Sequence, residues 1–312
     1  MKIHPYASFA YAQAFGHHYR AVHVPAWQTY MLIDRIAGSG YRDATFCYPY
    51  SALNPGSNLR DGLEQIKSTG AVSVVLMPDP LYGPPAESMA RVFSVKIPFK
   101  TNYLIDFQLP LRISKHHRYE IRRSQKACEM RVAALSDVLP EWLELYALLT
   151  RRHQIDGITR FSNEYFSAIA QMDSFVAIVA ESRGCIIAAS LWSRFQDIVT
   201  NHLGASSEKG YEVGASYAIY AAALELFGDA KTINLGGASG LRVSPDDGLA
   251  RFKRGFANRE IATTVYGEIL RPDVYWRLSA LAGRGEEFFP AYRMPRSKRV
   301  VGHNEMEGLA EQ

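Results

Sequence analysis

Cysteine is scarce: Cys47, Cys128 and Cys185 stand far apart in a chain of 312 residues. An odd, scattered set makes no disulfide frame and has no metal-ligand spacing, so it reads as buried thiols in a reducing compartment. Long apolar runs are missing too. None approaches the roughly 20 residues that a membrane-spanning helix needs. Residues Met1 to Pro5 lack the apolar core and cleavage site of a secretory leader. The expected setting is cytoplasmic, with no membrane span. A formal charge of +4 is modest and does not by itself point to nucleic acid. No Gly-x-Ser-x-Gly occurs and no cysteine sits in a nucleophile setting, which argues against a covalent intermediate on the protein. The pairs His17-His18 and His116-His117 have no carboxylate or cysteine at ligand spacing, so no metal is expected.

What is present is core-forming material. An apolar fraction of 47% and an aromatic fraction of 12% exclude disorder for the bulk of the chain. The length suits two domains. Strand-like runs cover 21–27, 30–36, 44–50, 71–77, 91–97 and 102–107, with an amphipathic helix from Leu59 to Thr69 stopped by Gly70. In the second half, helical spacing over 140–152 and 161–172 precedes a hairpin, 175–181 and 185–195, turned at Ser182 to Gly184. A strand over 197–205, an alanine-rich helix over 213–227, a strand over 231–235, a strand over 263–270 and a helix over 272–281 follow. The mixture predicts an α/β (α+β) chain.

The chain is organised around Asn234 to Arg242, which leaves a buried strand and opens at once into Gly236, Gly237 and Gly240. Asp246, Asp247, Gly248 and Leu249 lead on to Arg251, Phe252, Lys253, Arg254, Gly255 and Phe256, a short helical stretch with three cations. Glycine permits positive φ and close approach to a ligand, and fixed cations suit an anionic group, which makes Gly236 and Gly237 candidate cofactor contacts. A second candidate anion site is the loop expected at 206–215, where Lys209, Gly210, Gly214 and Ala215 precede a helix; helix N-termini present free N–H groups. A third is the basic helix over 115–131, where Arg118, Arg122 and Arg123 could hold a phosphate or a nucleic-acid backbone. An amine nucleophile would need a base, and Asp247, Glu212 and His202 lie near these loops. A lone strand histidine such as His202 is more often a satisfied core residue.

The strand, L-G-G-x-x-G and D-G-L-x-x-F-K-R-G-F of 231–256 resemble the C-terminal signature of the FemABX-like (BioF2-like acetyltransferase domain) branch of the GNAT acyltransferase superfamily. Arg118, Ile121, Arg122 and Arg123 are similar in type to that family's junction helix beside the substrate groove. The resemblance implies two GNAT-like domains, each a mixed, mainly antiparallel sheet flanked by helices: 1–110, a basic junction helix at 111–130, 131–282, and a polar tail at 283–312. It implies transfer of an acyl group to a small-molecule or peptide amine by direct attack, with Lys253 stabilising charge on the acyl carbonyl and Phe252 beside it. It further implies that Tyr48 and Tyr50 contact the acceptor. No bound cofactor is expected; acyl-CoA is the favoured co-substrate. Lys209, Gly210, Gly214 and Ala215 approximate the family's pyrophosphate loop with altered spacing. Aminoacyl-tRNA is the less favoured donor, because no coiled-coil arm is visible. A catalytically silent GNAT-like binding module is the other alternative.

Overall fold

The computed structural model describes residues 2–155, 160–238, 247–282 and 288–293. Residues 239–246, which complete the central glycine motif, lie outside the described residues, as do 283–287 and 294–312 of the expected tail. Eleven strands are described: β1 (Arg20–Val24), β2 (Thr29–Arg35), β3 (Arg42–Phe46), β4 (Ser73–Leu76), β5 (Val95–Asp106), β6 (Glu129–Ala134), β7 (Phe175–Ser182), β8 (Cys185–Phe195), β9 (Ile198–Ser206), β10 (Thr232–Gly237) and β11 (Arg259–Ile269). The helices are α1 (Phe9–Gln13), α2 (Leu59–Ser68), α3 (Ala86–Val92), α4 (Lys115–Gln125), α5 (Leu139–His153), α6 (Asn163–Ile169), α7 (Glu208–Val213), α8 (Ala215–Leu226), α9 (Gly248–Arg254) and α10 (Pro272–Ala282).

All eleven strands form one sheet in the order β1-β2-β3-β4-β11-β5-β10-β9-β8-β7-β6. Pairing is antiparallel except at β3-β4 and β9-β10. Each parallel pair is joined by a helical crossover, α2 in the first half and α7 with α8 in the second, so the same strand–helix–strand unit occurs twice. The expected boundaries divide the sheet differently from its pairing. Strand β11, expected in the 131–282 unit, lies between β4 and β5, while β5 pairs with β10 of the second half. The two halves therefore exchange strands.

Burial fixes the layers. In β7, Ala177 and Val179 face a core made with α1, α5 and α6, while Ile178 and Ala180 face a second core beneath α8. A strand covered on both faces reads as a continuous apolar run, as Phe175 to Ala180 does. Residues 269–282 and 288–293 return to the first half, where Val274, Tyr275 and Tyr292 close over Ile36 and Val72. Part of the expected polar tail is thus packed core.

Two local expectations are corrected. The strand expected over 91–97 begins only at Val95; Ala86 to Val92 is helical, because Ala86, Glu87, Met89 and Ala90 are good helix formers and Met89 is buried. The loop expected over 206–215 contains α7, whose N-terminus is capped by the Ser207 hydroxyl, which accepts from the Gly210 amide.

Candidate active site

The parallel pairing of β9 and β10 ends where Asn234 faces Thr200. Beyond that point a cavity of about 1970 Å³ opens, walled by 201–206 on one side and 235–238 on the other. It continues across the sheet to Tyr48, Tyr50 and Met77 of the first half, where Phe289, Tyr292 and Arg293 close it. Where two parallel strands part, backbone groups that would have bonded each other face the opening and can bond a guest instead. The end of β10 is shaped for this. It shifts register against β5 between Asn234 and Gly237, and Gly236 takes φ +74°, a conformation side-chain-bearing residues rarely adopt. The Asn234 side-chain oxygen accepts from the Gly236 amide at 2.8 Å and holds the turn.

Lys253 reaches this turn from α9. Asp247 caps that helix, its Oδ1 accepting from the amides of Leu249 and Ala250. Lys253 is buried, and its Nζ donates to the Gly237 carbonyl at 2.7 Å. A Cβ on Gly236 would lie 3.3 Å from Nζ, so that glycine also makes room for the ammonium. Burial brings the Lys253 pKa down to about 7; Lys100 pushes it the same way and Asp247 opposes.

Lys100, which the sequence reading missed, is the second cation of the site. Its Nζ donates to the Ala238 carbonyl at 2.9 Å, and burial lowers its pKa against the opposing field of Asp247. Its backbone is clamped at a register shift between β5 and β11, where the Thr263 hydroxyl accepts from the Lys100 amide and donates to its carbonyl. The available signal was a lysine within a long β-rich run ending in Tyr103, Leu104 and Ile105.

Tyr50 stands on the first-half wall. Its hydroxyl receives the side-chain amides of Asn102 at 2.6 Å and Asn234 at 3.2 Å. Asn102 and Asn234 are buried; Asn234 opens the focal stretch, but neither was given a site role from sequence. Tyr48 also lines the cavity, its ring 5.5 Å from that of Phe161. Phe252 lines it too, packed against Tyr217 and Tyr220.

His202 lines the cavity, but both ring nitrogens are engaged. The Tyr11 hydroxyl donates to the Tyr48 carbonyl, so Tyr165 must donate to Tyr11 and accept from His202 Nε2, which leaves Nδ1 to accept from Tyr6. Burial pulls its pKa to about 3. The expectation of a base at His202 gives way to that of a neutral, satisfied core histidine.

The anion sites expected elsewhere are placed less favourably. Gly210 and Gly214 line the cavity. Gly210 is there for packing: a Cβ would come within 2.3 Å of the Ile187 carbonyl oxygen. Gly214 takes φ +70° between α7 and α8, and Ala215 is buried in the first turn of α8. Lys209 is exposed and paired with Glu212 at 3.1 Å, which also directs the candidate base Glu212 outward. No side chain caps α8, yet the Glu120 carboxylate, paired with Arg123, lies 3.6 Å from where a Gly214 Cβ would be, so an ion pair already sits by that helix end. Arg118, Arg122 and Arg123 are exposed on α4 and do not line the cavity. Arg118 donates to the Ile113 carbonyl, and Arg123 pairs with Glu120.

No protein-family model matches the chain, and no curated protein matches it in sequence. Solved structures do match in shape. The crystal structure of FemX superposes with a TM-score of 0.62 at 12% identity, covering 87% of this chain and 93% of that one. The fold is FemX-like. That is the branch the 231–256 motifs resemble. The C-terminal domain of a putative lysylphosphatidylglycerol synthetase from Agrobacterium fabrum follows at 0.60 and 14% identity, covering 88% and 90%. L-PGS from Bacillus licheniformis gives 0.58 at 12%, covering 90% and 97%. Identities this low speak to architecture alone. Among the described residues no helix is long and apolar enough to cross a membrane.

Proposed function

We propose that the protein is an N-acyltransferase in which an amine attacks an acyl carbonyl held beside Lys253. The observation that carries this reading is a buried lysine, its pKa drawn down to about 7, facing a glycine turn in a cavity that joins both halves of the sheet. The donor enters between β9 and β10, and the acceptor amine approaches from the Tyr48 side. The amine nitrogen bonds to the acyl carbon, the carbonyl electrons move to oxygen, and the Lys253 ammonium stabilises that charge. Collapse of the tetrahedral species breaks the bond to the leaving group, and no bond to the protein forms.

Acyl-CoA, with acetyl as the first acyl group to try, is the donor we favour, in a cytoplasmic enzyme of cell-envelope or secondary-metabolite biosynthesis. Aminoacyl-tRNA is the second reading. Thermal shift with CoA and acetyl-CoA, set against pooled aminoacyl-tRNA at 50 and 200 mM salt, separates the two. Stabilisation by CoA that is insensitive to salt supports the thioester donor; tRNA binding that weakens steeply with salt supports the other. Lys253→Met should abolish transfer and melt no lower than the parent. Full transfer by Lys253→Met would sink the role of Lys253, and no transfer by the parent with either donor would leave a silent binding module.

A further inference from the structure

A second hydrogen-bond donor lines the same cavity as Lys253 and, among the described residues, meets no acceptor for its proton. The Tyr50 hydroxyl accepts from Asn102 Nδ2 at 2.6 Å and from Asn234 Nδ2 at 3.2 Å. The Asn234 amide is oriented by its own oxygen, which accepts from the Gly236 amide, so the nitrogen must point at Tyr50. A hydroxyl that receives two N–H groups has both lone pairs spent and one O–H left to donate. Among the described residues no acceptor meets that O–H, and Tyr50 lines the cavity. The residue is otherwise buried, with burial holding the phenol neutral by raising its pKa. It therefore donates a hydrogen bond and does not give up its proton. Asn234 ties this donor to the turn on which Lys253 rests: Asn234 holds Tyr50, Gly236 abuts Lys253 Nζ, and Gly237 accepts from it.

Resting on the acyl-transfer reading above, we propose that Tyr50 is a catalytic hydrogen-bond donor to the acyl carbonyl oxygen, and that Asn102 is its positioning residue. As the C–N bond forms, the carbonyl π pair becomes an oxygen lone pair, which meets the Tyr50 O–H and the Lys253 ammonium together. No proton moves from Tyr50. When the pair returns, the bond to the leaving sulfur or oxygen breaks and its electrons leave with that atom; the amine proton passes to solvent. The two donors differ in kind: the phenol is present at every working pH, whereas the ammonium is lost above about pH 7. Sequence placed Tyr50 only among acceptor contacts, because nothing local reveals that two distant asparagines consume its lone pairs.

The test measures hydroxamate formed from hydroxylamine with acetyl-CoA and, separately, with pooled aminoacyl-tRNA, after subtracting the rate without enzyme. Tyr50→Phe should lower kcat about 100-fold with KM within about twofold, the size of effect that one oxyanion donor supplies. Its melting temperature should stay close to the parent's, because the ring and its packing remain. Asn102→Ala should lower kcat less, and the double variant should be no slower than Tyr50→Phe alone, since Asn102 acts through the phenol. Equal kcat for Tyr50→Phe and the parent, or a loss confined to KM, would overturn the role of Tyr50 while leaving the transferase intact. Absence of hydroxamate from the parent with both donors would overturn the transferase reading and this role with it.

Discussion

Lys253 is destabilising where it sits, and its pH dependence has an unusual sign for that reason. Its pKa is about 7 in the folded chain against 10.5 for an unburied lysine. Below pH 7 both states carry the proton and the folded state bears the full cost of a buried charge. Between pH 7 and 10.5 the unfolded chain holds more protons than the folded one, so stability rises with pH across that window, by at most about 1.4 kcal/mol per pH unit. Lys253→Met should remove that slope and make the protein more stable than the parent at and below pH 7, by about 1–3 kcal/mol. Denaturant unfolding at pH 6, 7.5 and 9 checks this; parallel stability curves for the two proteins would show that the ammonium is not buried in solution. His202 and His4, each drawn to about 3 by burial, act with the same sign in a lower window and weaken the fold as pH falls from 6.5 toward 3. A residue kept at a stability cost in a cavity wall is what a functional role predicts and a packing role does not.

At the scale of elements, the position of α9 depends on one ring. His117 of α4 donates from Nε2 to the Phe252 carbonyl at 2.7 Å and accepts at Nδ1 from Ser114, which also caps α4. Its imidazole fills the place of a Gly255 Cβ, whose nearest ring atom would be 2.0 Å away. The Ser114 amide closes the join by donating to the Gly255 carbonyl. A methyl at Gly255 cannot be absorbed by rotamer change, because the ring is held at both nitrogens. Gly255→Ala should therefore cost about 2–4 kcal/mol, the scale of overpacking with loss of a buried bond. Adding His117→Ala to Gly255→Ala should recover part of that loss, since the methyl would then enter the vacated space. Urea midpoints of the two single variants and the double variant measure the coupling. Strictly additive losses would mean that α4 and α9 are not seated through this contact. The sequence showed Lys253 and the glycines because they are consecutive, and showed α2 and the 182–184 hairpin because their periods and stops are local. Lys100, Asn102 and the partners of Tyr50 were hidden: they are brought together by pairings of residues 52 to 184 positions apart, which no local pattern encodes.

At the scale of the molecule, the repeated strand–helix–strand unit suggests two independent lobes, but the pairing denies them independence. β4 has β11 as its antiparallel neighbour, and β5 lies between β11 and β10. Tyr266 of β11 belongs to the core that holds Val24, Trp27 and Leu76, and Val274 and Tyr275 complete the cover over Ile36 and Val72. Neither half can retain its sheet while the other melts, because each would expose the long flank of a borrowed strand. The cavity depends on the same exchange, as Lys100 and Asn102 come from β5 while Gly236 and Lys253 come from beyond β9. Two indoles report on the halves separately: Trp27 is fully buried in the first and Trp192 in the second. With 5-fluorotryptophan in place of tryptophan, the native ¹⁹F resonances of both should disappear over one urea transition with a common midpoint. If the Trp27 signal were lost at clearly lower urea while that of Trp192 persisted, the halves would be separable and the strand exchange would not bind them into one cooperative unit.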